Sequence, residues 1–294
     1  MFTLTQARAF IAVAEELHFG HAADRLHMTQ PPLSRQIQKL EKSLGLKLLL
    51  RHPRGVSLTA AGEAFLLECR QLVAQAEQAP RRARLIASGQ VGVVRLGYTA
   101  ASAYRVLGSL LTQIKEAFPG ITVELHEMVS ARQLESLRSG SIDMGLTRPP
   151  FHLEGVESNM VLTESLIVAV PSKHPLAVRG QPIPPEELQG EQILMYSHGQ
   201  ARYFHDLVVG LIDVRPEKVS HTASQVLTLV ALSAAGHGLS LVPESAGQLS
   251  IPGVTFLPLR NAPSDLVQLH ATWLSSSTNP ALHKVAGLLQ EISL

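Results

Sequence analysis

Apolar residues recur at steps of three and four along the first part of the chain, which is the period of amphipathic helices. The apolar stripe over residues 4–17 predicts a first helix, which Gly20 and His21 interrupt. Residues 22–26 predict a short second helix. Together with a third helix and a hairpin, residues 1–58 therefore predict a helical unit that ends in two short strands.

The third helix has the clearest boundaries. Thr29 can cap it, and Gln30 begins it. Pro31 and Pro32 fall in its first turn, where a missing amide proton is tolerated. Gly45 ends it. The face predicted to point inward is apolar and consists of Leu33, Ile37, Leu40 and Leu44.

A β-hairpin and a long helix are predicted next. Residues 47–50 and 56–58 flank a basic turn at 51–55. Thr59 can cap the helix that follows. Apolar residues in that helix step by four and three, a heptad spacing that predicts a seam for a partner helix: Phe65, Cys69, Leu72, Ala76, Ala79 and Ala83.

The end of the long helix is marked by two features. Pro80 lies inside the heptad pattern and is expected to kink the helix or to end it nearby. Ser88, Gly89 and Gln90 then predict a linker.

From Val91 onward the pattern changes to strands that alternate with amphipathic helices. The predicted strands are 91–97, 121–127, 142–147, 165–170, 192–196, 218–221, 240–242, 254–257 and 266–273. The predicted helices are 104–117, 131–139, 202–212, 224–235 and 280–291. This alternation predicts an α/β fold with mostly parallel sheets that helices cover on both faces.

Length and composition narrow the class of protein. A chain of 294 residues, of which 45% are hydrophobic and 17% charged, has room for about two domains with real cores and is not expected to be disordered. A single cysteine excludes an intramolecular disulfide. No signal peptide and no apolar run of membrane-spanning length are found, so we expect a cytoplasmic protein with no membrane partner.

Charge is unevenly distributed. Residues 1–90 carry 12 basic and seven acidic side chains, a net charge of +5, whereas the rest of the chain carries 13 and 17, a net charge of −4. A basic N-terminal part followed by an acidic remainder suggests that only the N-terminal part binds a polyanion. An ordinary solvated helical surface would explain the charge equally well.

The outward face of the third helix carries the side chains that a DNA recognition helix needs. Arg35 can fork onto guanine, Lys39 can bind phosphate, and three further polar residues can contact base edges or phosphate: Gln30, Ser34 and Gln38. The basic hairpin would act as a wing, with Arg51 or Arg54 near phosphate or the minor groove. The alternative is a three-helix bundle with a polar surface.

The amino-acid sequence of this region distinguishes between these two alternatives. FIAVAE at 10–15, HAADRLHMTQPPLSRQIQKLE at 21–41 and LTAAG at 58–62 resemble a LysR-type transcriptional regulator. The resemblance implies a winged helix-turn-helix, a dimerising linker helix and a two-lobed effector domain like periplasmic binding proteins. It aligns Gln30, Pro31, Pro32, Ser34 and Arg35 with the start of the recognition helix, and Arg51 and Arg54 with the wing.

The resemblance also divides the chain. It implies a DNA-binding domain at 1–58, a dimerisation helix at 59–90 and an effector domain at 91–294. Lobe I is expected at 91–163 and 268–294, and lobe II at 164–267. Two chain crossings, near Thr163 and Val267, would form a hinge.

Residues at the predicted strand ends are candidates for effector binding, because ligands of such sheets bind at carboxyl ends of strands. They are Thr99, Ala101, Ser102, Ser130, Arg148, Phe204 and Val226. Hydroxyls, helix starts and one arginine favour a small carboxylate, and Tyr98, Tyr104, Tyr196 and Phe204 are candidate walls for a flat body. Equally, the hydroxyls can be plain helix caps and Arg148 a structural ion-pair partner.

The segments LESL at 134–137, GSIDMG at 140–145 and AAGHGLSLVP at 234–243 are similar to regulators of aromatic-acid catabolism. This resemblance aligns four of the candidates with positions that hold dicarboxylate effectors: Ala101, Ser130, Arg148 and Phe204. Ala101 lacks the hydroxyl that some members have there, for which Thr99 or Ser102 can compensate.

Other classes of protein fit the sequence less well. A solute-binding protein of the same lobe architecture, without a transcriptional role, does not explain the first 90 residues. No motif of a hydrolase, metalloprotease, P-loop or dinucleotide-binding enzyme is found, and the 13 histidines include no pair four residues apart, so neither catalysis nor a metal or cofactor is expected. Cys69 is interpreted as a packing residue rather than a redox switch.

The expected function is therefore that of a sequence-specific transcription activator switched by a small, anionic effector. Its expected partners are double-stranded DNA with an inverted repeat, RNA polymerase and further copies of itself in a dimer or tetramer. Effector binding would shift the population between two lobe arrangements.

Overall fold

The computed structural model describes residues 1–52 and 55–291, which form two compact units that divide after Arg84. Each unit is described by itself. Within the described residues, no helix is both long enough and apolar enough to cross a membrane.

The first unit is helical with a two-stranded hairpin. Its elements are α1 (Leu4–Glu16), α2 (Phe19–Arg25), α3 (Gln30–Leu44), β1 (Leu49–His52), β2 (Gly55–Leu58) and the first part of α4 (Ala60–Ala87). The prediction that Gly20 and His21 separate the first two helices is wrong, because both lie inside α2. The break comes earlier, at Leu17, and the His18 ring accepts hydrogen bonds from the first amides of α2.

Helix α3 begins and ends where the sequence places it. Thr29 occupies the cap position without a side-chain hydrogen bond, Pro31 and Pro32 lie in the first turn, and Gly45 closes the helix with a φ of 69°. Leu33, Ile37 and Leu40 are fully buried in the core of the unit. This burial fixes which face of α3 remains outside.

The hairpin strands β1 and β2 pair antiparallel, from Leu49 opposite Leu58 to His52 opposite Gly55. Arg51 lies within β1, which corrects its predicted place in the turn; Arg54 lies outside the described residues. The buried carboxylate of Glu41 accepts hydrogen bonds from the backbone amides of Leu48 (2.9 Å) and Leu49 (3.3 Å). Glu41 thereby ties the start of the hairpin to α3.

Helix α4 departs from two expectations. It continues through Pro80 to Ala87, because one proline removes a single hydrogen bond from a helix of 28 residues. Cys69, predicted on the seam for a partner helix, is instead fully buried in the unit's own core, and the ring of half-buried Phe65 packs at 5.3 Å from that of Phe2. Burial raises the pKa of the Cys69 thiol to about 11, and Leu72 is exposed.

The second unit has three sheets, of five, three and two strands, flanked by helices. Its strands are β3 (Gly92–Tyr98), β4 (Ile121–Glu127), β5 (Met144–Thr147), β6 (Val156–Glu164), β7 (Leu166–Pro171), β8 (Ile193–Tyr196), β9 (Val219–Ala223), β10 (Ser240–Pro243), β11 (Val254–Pro258) and β12 (Val267–Leu274). Its helices are α5 (Ala100–Ser102), α6 (Gly108–Ala117), α7 (Ser130–Ser139), α8 (Pro175–Arg179), α9 (Arg202–Leu211), α10 (Val226–Ala234) and α11 (Pro280–Glu291). A π-helical turn joins α5 to α6.

The prediction of mostly parallel sheets is wrong. The five-stranded sheet has the order β4-β3-β5-β12-β6, and β12 runs antiparallel to both of its neighbours. Strands β10 and β11 both pair antiparallel with β7, whereas β8 and β9 pair parallel. The two antiparallel pairs of the five-stranded sheet arise where β12 returns from the second lobe, whereas β3 pairs parallel with β4 and β5. Strand β6 and helix α8 were not predicted from the sequence.

Each lobe of the second unit has its own apolar core. One core includes Val94, Leu146 and Leu269 and the other Val168, Leu194 and Leu241. The chain crosses between lobes at two adjacent points, where Glu164 at the end of β6 pairs with Val267 at the start of β12. The two crossing segments run antiparallel to each other.

We expect Glu41→Ala to destabilise the first unit by about 1–3 kcal/mol, because two buried amides lose their acceptor. Lys47→Ala is the matched control. Lys47 binds the same carboxylate at 3.3 Å but is exposed, so its loss should cost at most about 1 kcal/mol. Urea denaturation of the full chain, with amide exchange read at Leu48 and Leu49, measures both effects. Equal protection of these amides in Glu41→Ala and the parent would contradict this role of Glu41.

Candidate functional site

The outer face of α3 presents a compact set of polar side chains. Gln30, Arg35, Gln38 and Lys39 are exposed along it, next to exposed Pro31 and half-buried Pro32 and Ser34. Their common orientation follows from the burial of Leu33 and Ile37 on the opposite side. The structure thus places the predicted α3 residues together on one accessible helix face.

The hairpin lies beside this face. Arg51 on β1 donates a hydrogen bond from Nη1 to Oγ of Ser34 (3.4 Å), and its guanidinium lies 4.9 Å from the centre of the Phe19 ring. Arg51 therefore extends the polar face of α3 onto the first strand of the wing.

Three carboxylates of the first unit pair with arginines outside the α3 face: Glu15, Glu16 and Glu77. Glu15 binds Arg70 (2.7 Å) and Arg25 (2.8 Å), and the hydrogen bond from Arg70 is the main reason why the pKa of Glu15 lies below its ordinary value. Among the described residues, neither Arg35 nor Lys39 has a salt-bridge partner. The α3 face consequently keeps an uncompensated positive charge.

A cleft of about 980 Å³ lies between the two lobes of the second unit. Six of the seven predicted effector residues line it: Thr99, Ala101, Ser130, Arg148, Phe204 and Val226. Ser102 does not line it. Ser102 is buried, and its hydroxyl donates to the carbonyl of Thr99 in a capping box at the start of α5.

Helix starts converge on the cleft. Residues at the N-termini of α7, α9 and α10 line it, and none of these three helices has a side-chain cap hydrogen bond. Free amide protons and the positive ends of the helix dipoles therefore face the same space. Such an arrangement favours an anion.

Arg148, just after β5, is the buried cation of this cleft. Its Nη1 donates to the carbonyl of Gln268 (2.9 Å), and its Nη2 lies 3.9 Å from Oε1 of Glu164. Burial lowers the pKa of the guanidinium, although Glu164 opposes this shift. Among the described residues, the buried Nε and Nη2 atoms have no hydrogen-bond partner.

Ser130 stands next to Arg148 at the start of α7. Its Oγ accepts a hydrogen bond from the backbone amide of Arg148 (3.1 Å), so the hydroxyl proton remains available to a ligand. The pair supplies one charged and one neutral donor within the same wall of the cleft.

Aromatic rings form part of the opposite wall. Phe204 lies 4.7 Å from the Arg148 guanidinium, and Tyr203 also lines the cleft. Tyr196 is buried behind Phe204, with the two rings stacked at 4.9 Å. Tyr98, Tyr104 and Tyr196, predicted as possible walls, are not among the described lining residues.

The sequence analysis missed Glu164 and Gln268 as partners of Arg148. Glu164 ends a strand that was not predicted, and Gln268 contributes a carbonyl, which any residue would supply. The acidic side chain at a predicted lobe crossing was the one available signal.

Comparison with known proteins agrees with this architecture. Residues 4–63 match the family described as bacterial regulatory helix-turn-helix protein, lysR family, and residues 87–293 match the LysR substrate binding domain. The chain is 36% identical over 274 residues to the transcriptional regulator AlsR of Bacillus subtilis (92% of this chain, 88% of AlsR). It is 37% identical over 256 residues to the regulator ClcR of Pseudomonas putida (86% and 87%).

A solved structure covers the whole length as well. Full-length CbnR, crystallised with its target DNA, is 29% identical, covers 99% of both chains and superposes with a TM-score of 0.84. These relatives are named as transcriptional regulators rather than as enzymes.

We expect Arg148→Ala to destabilise the second unit by about 3–5 kcal/mol, because the buried Glu164 loses its cation. Adding Glu164→Gln should recover at least about 1 kcal/mol of this loss, since no buried charge then remains unpaired. Urea unfolding of the parent, the two single variants and the double variant, followed by the fluorescence of Trp273, the single tryptophan, measures these free energies. Strictly additive effects would mean that the two charges do not interact.

Proposed function

The chain belongs to the LysR family of bacterial transcriptional regulators, and from this premise we propose which residues read DNA and which ligand switches the protein. Helix α3 enters a major groove, and a small carboxylate binds in the cleft between the lobes. The observation that carries the ligand proposal is the buried Arg148, whose Nε and Nη2 lack partners beside the available hydroxyl of Ser130.

In this proposal the residues of α3 make different contacts with DNA. Arg35 forks onto a guanine, and Gln30, Ser34 and Gln38 contact base edges or phosphate. Lys39 binds phosphate, and the wing residues Arg51 and Arg54 contact the backbone or the minor groove. Pro31 and Pro32 set the start of the helix in the groove. The exposure and unpaired charge of the α3 face support this division.

The proposed domains keep the boundaries expected from the sequence: DNA binding at 1–58, a dimerising helix at 59–90 and an effector domain at 91–294. An inverted-repeat site requires a dimer or tetramer. Exposed Leu72 and half-buried Ala76 on α4 are the proposed helix contacts. CbnR, which has the same arrangement of elements along its length, was crystallised on its target DNA. RNA polymerase is the proposed partner in activation.

The proposed effector is a small acid with a flat or apolar body. Its carboxylate takes the free donors of Arg148 and Ser130, and Thr99 and Val226 line the same space. Phe204 and Tyr203 provide an aromatic wall for the body of the ligand. The resemblance of residues 134–137, 140–145 and 234–243 to regulators of aromatic-acid catabolism supports an acid of this class.

A ligand-binding protein without a transcriptional role is the alternative. It gives no function to the exposed and uncompensated α3 face, so we favour the regulator. We assign no catalytic step to the cleft, where the donors recognise an anion. The effector shifts the equilibrium between two lobe arrangements and is not itself chemically changed.

On DNA sites selected from a random library, Arg35→Ala should lower the preference for the selected sequence by about 1–3 kcal/mol. Lys39→Ala should weaken all DNA about equally and reduce the slope of log affinity against log salt by about one. Fluorescence anisotropy with full-length protein measures both. Arg8→Ala, which removes an exposed arginine paired with Glu77, is the control. An unchanged base preference in Arg35→Ala would contradict the base-reading role of Arg35.

A thermal-shift screen of muconates, benzoates and catechol-derived acids, with aliphatic acids as comparison, should reveal ligands that raise the melting temperature. Arg148→Lys keeps the charge but loses the forked donors, and Ser130→Ala loses the hydroxyl, so each should abolish the shift. Arg138→Ala removes an exposed arginine that lines the same cleft and should retain it. A shift that survives in Arg148→Lys and Ser130→Ala would place the ligand elsewhere.

A further inference from the structure

Two histidines and an aspartate meet where β8 leads into α9. His198 lies in the turn after β8, and His205 and Asp206 follow on the first turns of α9. One ligand atom from each side chain lies within 4.8 Å of the others. We propose that these three residues form a binding site for a divalent first-row metal ion of the Zn²⁺ class. This proposal does not depend on the effector or on DNA binding.

The chemistry of the donors selects the ion. Imidazole nitrogen suits Zn²⁺, Co²⁺ and Ni²⁺, and a carboxylate supplies a third, anionic ligand. Three protein ligands leave a further position to water, as in open zinc sites. A set made of one carboxylate and two imidazoles fits Ca²⁺ or Mg²⁺ poorly, because those ions require mainly oxygen.

The distances are close to those of a metal site. Nδ1 of His205 lies 3.1 Å from Oδ1 of Asp206. Zn–N and Zn–O bonds of about 2.0–2.1 Å at tetrahedral angles put neighbouring ligand atoms about 3.3 Å apart. His198 is exposed in its turn, and its ring meets the ring of His205 edge to face at 4.9 Å. The ligand atoms of all three residues lie within 4.8 Å of one another, so the exposed His198 side chain would have to rotate to reach the spacing of a bound metal.

Arg202 orients the carboxylate without occupying both of its oxygens. Its Nε donates to Oδ2 of Asp206 at 3.3 Å, whereas Oδ1 faces His205. A hydrogen-bonded ligand carboxylate is typical of metal sites, where such outer contacts fix the ligand. Arg202 and Asp206 also line the cleft, so an ion held here would lie at its rim.

The spacing of the two histidines along the sequence does not reveal this cluster. His198 and His205 are seven residues apart, and a single helix would need a spacing of three or four to bring them together. Here the turn after β8 folds back against the first turn of α9 and supplies the contact instead.

The test is titration of tag-free, chelator-treated, full-length protein with Zn²⁺ against a chromophoric chelator, and with Co²⁺ by visible absorption. We expect one ion per chain and Co²⁺ bands typical of nitrogen and oxygen ligands. His198→Ala, His205→Ala and Asp206→Asn should each weaken binding at least about tenfold. Melting curves without metal establish that each variant is folded, and the exposed position of His198 makes its variant the safest.

His237→Ala is the matched control, because His237 and His221 also form a histidine pair, stacked at 5.2 Å, but lack the carboxylate. This variant should bind Zn²⁺ as the parent does. The proposal is overturned if the parent binds no ion, or if folded His198→Ala and His205→Ala bind with parental affinity. In the latter case the ion is held by other histidines of the chain.

Discussion

The guanidinium of Arg148 is a full positive charge removed from water, and the second unit is arranged around that constraint. An arginine side chain keeps its charge even when buried, so the surroundings must compensate it. They do so from several elements: the Gln268 carbonyl on β12, the Glu164 carboxylate at the lobe crossing and the faces of Phe204 and Tyr203. Compensation is incomplete, since Nε and Nη2 have no hydrogen bond among the described residues and Glu164 lies 3.9 Å away. The donor atoms that this arrangement leaves unpaired are the ones to which the proposed function assigns the ligand.

The first unit has the opposite arrangement of charge, because its buried charge is a carboxylate and the cations on α3 are exposed. Its buried carboxylate, Glu41, is satisfied by backbone amides that fix the hairpin to α3, and Glu15 is neutralised by Arg25 and Arg70. The cations on the outer face of α3 remain unpaired and solvated. A solvated cation loses little when it moves onto a phosphate, whereas one already paired must first break its contact. This distribution explains how a nearly neutral chain, with a net charge of +1, can present a local polycationic surface.

Sequence patterns predicted local elements well and long-range relations poorly. The bounds of α3 follow from Pro31, Pro32 and Gly45, whose backbone preferences are local. Strand β6 was missed because its first half, residues 156–160, is mostly polar and has no buried residue, and the antiparallel pairing of β12 follows from where it re-enters the sheet. In the heptad pattern of α4, Cys69 belongs to the unit's own core and the Phe65 ring packs against that of Phe10 on α1, and spacing alone does not distinguish such contacts from a seam for a partner helix. The cleft residues were found because strand ends and helix starts are visible in sequence; the partners of Arg148 were not, because a backbone carbonyl has no sequence signature.

The position of Arg148 also explains how a ligand in the cleft can act on the lobes. A ligand shifts an equilibrium only by the difference between its affinities for the two states. Arg148 follows β5 of the first lobe, while Phe204 and the starts of α9 and α10 belong to the second. An anion held by Arg148 and Ser130 gains the helix starts of the second lobe only when the lobes face each other. Because Glu164 and Val267 sit side by side where the chain crosses, a change at this pair alters both connections together. In the proposed function, an anion bound at Arg148 would therefore favour the arrangement in which the two lobes face each other.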